Sequence, residues 1–420
     1  MNFNGWNWDD YYAALIDGGT SAFPAVQGSV PWMNNSAIPP VNAGDDAGAA
    51  ASYVAHADAM FQIAARYGST VVDDSKLMLS TNPAQTHRSG LNMVGYYEDF
   101  NEEDNAAAFT PAAMAAMASA DDDGDQGRLG STFGVKNADP NAKFVMGGLS
   151  GKYPPSNVWL TSITDYLDGM RTWATAHRAG DFPSDVINVH YYSFPAAGPG
   201  SPGPALSPEA DHVKDELAGV IAYRDANLPG KQVWWTEFGY DTNSGSTLGT
   251  PSLGSNSSMI VQAQWLVREL LIGMSAGRDR ATLFELDDTG PDASGVFVTC
   301  GLQTSTGTKK PSYFFVATLR TRLGTMAYSA EQASGNPNVM IYKFADTASG
   351  GGALVVWSPT SSANVVSNVS LALPSAAKTA TSVTLADQQM NGIEAPLTIT
   401  GGNVSLDVSE TPTIVLVDAL

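Results

Sequence analysis

From Met1 to Gly324 the chain alternates short apolar runs with stretches of helical periodicity, and this alternation restricts the fold more than any single motif. The apolar runs end near Asn4, Val26, Phe100, Gly147, His190, Glu237 and Leu286. Strands separated by helices pair in parallel, because a parallel neighbour needs a crossover long enough to hold a helix. Reactive residues at several strand ends then point to a (β/α)8 barrel over residues 1–324, since that architecture builds its site from those ends. Seven strands leave a closed barrel one short, so we expect the first βα unit to lie upstream of Met1. Counted that way, Glu102 ends strand four and Glu237 ends strand seven.

Between these runs the helices are legible. Ala50, Tyr53, Val54, Ala57, Met60, Phe61 and Ala64 recur at helical spacing between Asp45 and Tyr67, with Gly68 as the stop. Thr110 and Pro111 suit the cap and first turn of a helix ending near Ala120. Leu160, Ile163, Leu167, Met170 and Ala174 mark one face of a helix from Ser156 to about Ala179, and Ser207-Pro208 caps the next. Further helices are expected from about Met259 to Ala276 and from Pro311 to Leu323. Asn2 to Trp8 read as a strand end carrying Trp6 and Trp8 into a loop, with Asp9 or Asp10 capping a short helix to Ile16. Two long connections, Ser69 to Asn92 and Ala196 to Pro204, would wall a cleft.

Beyond Gly324 the pattern changes to Val/Thr/Ser alternation broken by turns: "NVMIYKFAD", "GALVVWSP", "NVSLAL", "TSVTLAD", "PLTITGG", "VSLDVSE" and "TIVLVDA". Many short strands at regular intervals indicate an antiparallel β-sandwich over residues 325–420.

Charge narrows the partners. With 42 Asp+Glu against 21 Lys+Arg, the formal charge of −21 repels nucleic acid and anionic membrane surfaces. No apolar run approaches the ~18 residues that span a bilayer. Cys300 is the only cysteine, which rules out an intrachain disulfide and thiolate metal clusters. Met1 is followed at once by "NFNGWNWDD", without a basic region or apolar core, so the protein either stays in the cytoplasm or begins after its export signal. The missing strand favours a secreted or periplasmic protein whose signal is absent from this chain.

Two stretches carry the chemistry: "VGYYEDFNEED", Val94 to Asp104, and "VWWTEFGYDT", Val233 to Thr242. Glycosidic cleavage needs one carboxylic acid to protonate the leaving oxygen and one carboxylate on the other side of the anomeric carbon. Glu102 suits the acid, with the Asn101 amide to hold a sugar hydroxyl, and Glu237 suits the nucleophile. Two charges sharing a cleft raise the acid's pKa and leave the other ionised. His190 and Tyr192 alternate onto one side of their strand, where the tyrosine hydroxyl would orient Glu237. Trp6, Trp8, Trp32, Trp234 and Tyr97 are candidates for stacking on sugar rings. Trp234 and Tyr97 fit the core better, which leaves the loop residue Trp32 as the stronger choice. Glu98 is expected to point into the barrel beside an arginine or amide.

These motifs resemble those of the clan A glycoside hydrolases. "YYEDFNEED" resembles the clan's glutamate after asparagine at the end of strand four, "WWTEFGY" its second glutamate at the end of strand seven, and "HYYSF" its His-x-Tyr on strand six. The likeness covers Asn2 to Leu323, is nearest to family 39 enzymes of β-xylosidase and iduronidase type, and the sandwich resembles an accessory domain several clan families carry. It implies retaining hydrolysis of a β-glycosidic bond in an oligo- or polysaccharide, with Glu102 as acid/base, Glu237 as nucleophile and no cofactor. Two departures stand out: strand two offers no arginine, and strand eight ends "LFELDD" where the clan often has tryptophan. Phe284, Glu285 and Asp287 there either give the site its own substrate contacts or mark a different register.

Other motifs fall away. "DDDGDQG", Asp121 to Gly127, lacks the spacing and closing glutamate of a calcium loop and reads as a solvated acidic loop. No H-E-x-x-H occurs, so a zinc site is not supported, and "GGLSGK" fits neither a nucleophile elbow nor a phosphate loop. The rival readings are a non-catalytic carbohydrate-binding protein on the same fold and an inverting hydrolase. Sugar, linkage, exo or endo action and oligomeric state are left open by the sequence.

Overall fold

The structure, a computed structural model, describes residues 2–3, 6–28, 38–78, 88–153, 158–195, 198–201, 203–290 and 295–420, with side chains from residue 7 onward. It divides into two compact units, residues 1–152, 160–190 and 222–235 in the first and 153–159, 191–221 and 236–420 in the second.

The first unit opens differently from expectation. β1 (Asn2–Phe3) pairs antiparallel with β2 (Trp6–Asn7), so these residues form a small ribbon and not a barrel strand. Trp8 begins α1 (Trp8–Asp17), because the Asn7 side chain accepts the Asp9 amide and caps the helix two or three residues earlier than expected (9 − 7 and 10 − 7). Asp9 is thereby free to accept from Arg66 Nε at 2.9 Å and from the Tyr67 hydroxyl at 2.9 Å.

β3 (Ala25–Val26), β4 (Tyr96–Asp99), β5 (Lys143–Met146), β6 (Val186–His190) and β7 (Gln232–Glu237) follow in sequence order across a parallel sheet. Glu98 stands opposite Val145 and Asp99 opposite Met146. Alternation sorts the side chains between two cores. Tyr97 and Phe144 join Met60, Phe61 and Ala64 of α2 (Val54–Tyr67), Ala118 of α3 (Pro111–Asp123), and Val135 and Ala138 of α4 (Val135–Ala138). On the other face Tyr96, Val145, Val186, Trp234 and Phe23 pack together. Trp234 and Tyr97 are fully buried and belong to these cores. The same alternation sends Glu98 inward, where the Asn188 amide donates to it at 2.7 Å, the amide partner expected for this carboxylate.

α3 corrects the acidic-loop expectation. The helix runs through Asp121, Asp122 and Asp123 before Gly124 stops it at φ 67°, and Asp121 and Asp122 are buried. Acids in a last turn oppose the helix dipole, and cations offset it here. Lys136 lies 3.1 Å from Asp122, and Arg178 donates to Asp123 at 2.9 Å through each of two nitrogens. Asp125 pairs with Arg128 at 2.6 Å. α5 (Trp159–His177) completes the helices of this region.

α6 (Val213–Asn227) starts only at Val213, because Ser207 to His212 form turns in place of the expected first turn of helix. In the second unit α7 (Ser258–Ala276) and α8 (Pro311–Leu323) match their expected bounds closely, while β8 (Arg280–Ala281) is only two residues long. The strands β9 (Ala327–Glu331), β10 (Met340–Ala345), β11 (Gly352–Trp357), β12 (Val365–Ala372), β13 (Ala380–Thr384), β14 (Ile393–Pro396), β15 (Asn403–Ser409) and β16 (Thr413–Val417) complete it. A six-stranded antiparallel sheet has the order β14-β13-β16-β11-β10-β9, and β12 pairs with β15 as a separate ribbon.

Both faces of the larger sheet are covered. Ile341, Leu354, Val356, Val415 and Val417 pack with Leu371, Val404 and Val408 of the ribbon. Tyr342, Phe344, Val355, Trp357 and Ile414 pack on Ala263, Val267 and Leu271 of α7 and on Phe315 and Leu319 of α8. That is why every residue of β11 is buried. A buried polar link joins α7 to the sheet: Arg268 Nε and Trp357 Nε1 both donate to Glu209 Oε1, at 2.9 and 2.7 Å.

The parallel half-barrel with its helices is the (β/α)8 architecture, and the C-terminal sheets form the antiparallel sandwich. Among the described residues no helix is long and apolar enough to cross a membrane.

Candidate active site

In the first unit the site residues gather at the end of β4. Ladder pairing stops at Asp99, and Phe100 (φ 66°) and Glu102 (φ 53°) both adopt left-handed backbone. That conformation is costly for side chains of this size and persists only where the surroundings enforce it. Here the Glu102 amide donates to the Gly148 carbonyl at 3.1 Å, and the Asn105 amide donates to the Glu102 carbonyl at 3.0 Å. The Glu102 carboxylate lies 2.9 Å from His190 Nδ1 and accepts from the Asn105 amide nitrogen at 3.0 Å. Its side chain is 27% exposed while His190 is 1% exposed, so a solvent-reachable acid rests on a buried imidazole. Asn101 is half-buried beside it.

The Gly147-Gly148 pair after β5 makes room for this arrangement. A Cβ on Gly148 would overlap the His190 ring, and one on Gly147 would overlap the Glu103 carboxylate. Asp104 ties the same two turns together by accepting from the amides of Ser150 at 3.0 Å and Gly151 at 2.7 Å. Burial pushes the Asp104 carboxyl above its ordinary pKa despite these donors.

In the second unit the Tyr192 hydroxyl donates to Glu237 at 2.8 Å, and the Tyr191 amide donates to the Glu237 carbonyl at 3.1 Å. Tyr192 is buried against Phe297, with ring centroids 4.8 Å apart. Burial first, and then the charge of Glu237, raise the tyrosine's pKa well above its usual value, so it remains a donor. Four residues on, Asp241 accepts from the amides of Phe297 (2.9 Å) and Thr299 (2.7 Å) and from the hydroxyls of Ser246 (2.6 Å) and Thr299 (3.1 Å). It fixes the loop that carries Cys300, whose thiol points at Glu285 across 3.7 Å. Burial raises the Glu285 carboxyl, with Asp288 and Asp287 adding to it.

Among residues singled out from sequence, Trp32 and the side chain of Trp6 lie outside the described residues. Trp8 packs on Tyr11 and Tyr12 within α1. Sequence reasoning passed over Glu103, Asp104, Asn105, the Gly147-Gly148 pair and Asp241. The available signals were an amide three residues after the acid, a glycine pair at a strand end, and an Asp four residues after Glu237.

No protein-family model matches the chain, and no curated protein matches it. Its fold is nevertheless shared with solved structures. It is similar to a family 39 glycoside hydrolase from Bacteroides cellulosilyticus WH2, with TM-score 0.63 and 17% identity over 98% of this chain and 71% of that one. It is similar to a glucosidase from Croceicoccus marinus, with TM-score 0.59 and 12% identity over 99% and 83%. A family 30 subfamily 8 xylanase from Clostridium acetobutylicum gives TM-score 0.52 and 13% identity over 100% and 87%. The structural neighbours are thus clan A glycoside hydrolases, and what the likeness establishes is the fold.

Proposed function

We propose, from a fold shared with clan A glycoside hydrolases, that this protein is a retaining β-glycosidase acting on an oligo- or polysaccharide. The observation that carries the reading is that each candidate carboxylate has a different partner from one stretch of chain, His190 for Glu102 and Tyr192 for Glu237. Towards a carboxylate a tyrosine hydroxyl can only donate, and a hydrogen bond to the charged form favours ionisation, which suits a nucleophile. An imidazole both gives and takes a proton at neutral pH, which suits the neighbour of a group that changes protonation during turnover.

In the first step the Glu102 carboxylic acid gives its proton to the glycosidic oxygen while Glu237 attacks the anomeric carbon. The carbon–oxygen bond breaks, the aglycone leaves as an alcohol, and the sugar is held as an ester on Glu237. In the second step Glu102, now a carboxylate, takes a proton from water, whose oxygen displaces Glu237 and releases the sugar with its original configuration. Asn101 and Glu285 are read as sugar contacts, together with Trp6 and Trp32.

The test is hydrolysis of aryl β-glucosides and β-xylosides, chosen because the neighbours include a glucosidase and a xylanase, with the product anomer followed by proton NMR. A β-configured first product supports the proposal, and an α-configured one identifies an inverting enzyme. Oligosaccharide binding without turnover identifies a carbohydrate-binding protein. In a crystal structure a carboxyl separation of about 5 to 5.5 Å fits retention and about 6.5 to 9.5 Å fits inversion.

For residues 325–420 we propose a bracing role. The six-stranded sheet shares its core with α7 and α8, so a chain ended after Gly324 would expose Val267, Leu271, Phe315 and Leu319. Such a chain is expected to be insoluble; a soluble form that fails only on polymers would assign the sandwich to sugar binding.

A further inference from the structure

The half-barrel's helix layer encloses a cluster of ionisable groups that the proposed chemistry does not use. His56 comes from α2, Asp99 from the last position of β4 and Asp121 from the last turn of α3, and they are 6%, 0% and 0% exposed. Strand alternation explains the placement of Asp99: with Glu98 facing inward, Asp99 is driven outward into the core beneath the helices. His56 Nδ1 lies 2.8 Å from Asp121 Oδ2 and 3.8 Å from Asp99 Oδ1, and one ligand atom of each residue lies within 4.8 Å of the others. Apart from the contact between the Asp99 and Asp121 carboxyls, no donor reaches Asp99, and Asp121 Oδ1 and His56 Nε2 have no partner. Glu103, 1% exposed and turned back against Gly147, adds another buried carboxylate nearby, supplied only by its own backbone amide. Tyr53, which precedes α2, is also fully buried near the two aspartates.

Buried carboxylates without donors are among the most expensive arrangements a core can hold. They persist when protons or a cation neutralise them. We propose that His56, Asp99 and Asp121 form a structural site for a divalent transition cation of the zinc class. One imidazole and two carboxylates are a donor set that zinc accepts and that calcium, which takes oxygen ligands, does not favour. Ligands about 2.1 Å from a tetrahedral ion stand roughly 3.4 Å apart, between the two distances from His56 Nδ1. The ion would fasten α2 and α3 to the strand that delivers Glu102.

The scattered histidines carry no sign of this site in the sequence, because the three residues lie 43 and 22 positions apart (99 − 56 and 121 − 99) and only the fold assembles them.

The experiment measures zinc by mass spectrometry in protein produced with zinc in the medium and freed of loose metal by gel filtration, alongside melting with and without a chelator. We expect about one zinc per chain, a melting temperature lowered by several degrees on chelation, and loss of both effects in His56→Gln and in Asp99→Asn. Glu102→Gln is expected to keep the zinc, which separates this site from the proposed active site and makes the result independent of glycosidase activity. Zinc-free protein overturns the proposal, as does zinc content unchanged in His56→Gln. If Asp99→Asn raises the melting temperature and no zinc is retained, the two aspartates are a proton-sharing pair and the proposal fails.

Discussion

The ends of β4 and β7 each deliver a glutamate, yet they treat their surplus acids in opposite ways. After β7 the second acid, Asp241, accepts from four donors and holds a loop. Around the end of β4, Asp99 and Glu103 are as deeply buried and far worse supplied, Asp99 meeting the Asp121 carboxyl and Glu103 only its own backbone amide. A carboxylate supplied with backbone amides is a structural pin, stable as an anion. One without donors must hold a proton or a cation, so its neighbourhood responds to pH and to metal. Left-handed residues occur beside both kinds: Phe100 and Glu102 after β4, and Phe297, whose amide Asp241 accepts.

The largest expected effect tests whether the two glutamates differ in role. Glu237→Gln should lower kcat by roughly 10⁴-fold or more on every substrate, because the covalent step is lost. Glu102→Gln should cost about 10² to 10⁴-fold on substrates with poor leaving groups and far less on activated aryl glycosides, whose departure needs no proton. Equal losses on both substrate types, read from steady-state kinetics, would erase the distinction.

Next comes the structural pin. Asp241→Ala leaves two amides and two hydroxyls without their acceptor and is expected to destabilise the protein by about 3 to 5 kcal/mol in urea unfolding. A loss near zero would show that the loop holds itself.

A smaller effect belongs to the acids beneath the helices. Burial raises Asp122 to about 6 from an ordinary 3.8, Lys136 only partly offsetting it. The folded pKa lies above the unfolded one, so the native state keeps a proton that the unfolded chain releases, and stability falls as pH rises from about 4 through 6. This group alone corresponds to roughly 3 kcal/mol. Asp122→Asn should therefore gain relative to the parent as pH rises from 4 to 8, measured by urea unfolding in chelator at each pH. A parallel pair of stability curves would contradict the assignment.

Much of this was legible in the chain. Periodicity located α7 and α8 closely, the end of α2 though not its start, which falls at Val54 and not Asp45, and the sandwich strands β10, β11, β15 and β16, since long patterned segments carry their own signal. Strand-end position and alternation were the grounds for expecting Glu102, Glu237, His190 and Tyr192 at the site; Glu237 does end β7 and His190 β6, while Glu102 lies three residues past β4 and Tyr192 two residues past β6 (102 − 99 and 192 − 190). Short pieces were not legible: the β1–β2 ribbon and β8 are two-residue strands with too little pattern to read, and the three-residue extension of α3 past Ala120 (123 − 120) rests on ion pairs with Lys136 and Arg178.

By itself, then, the sequence determined the alternating architecture and which residue types stand at the strand tips, because periodicity and turn chemistry are local. Only the tertiary structure decided which acids are pinned by amides and which are left bare. Asp99, Asp121, Glu103 and Asp241 look alike as letters. What separates them is the count of donors within reach, and donors such as the amides of Phe297 and Thr299 arrive from more than fifty residues away.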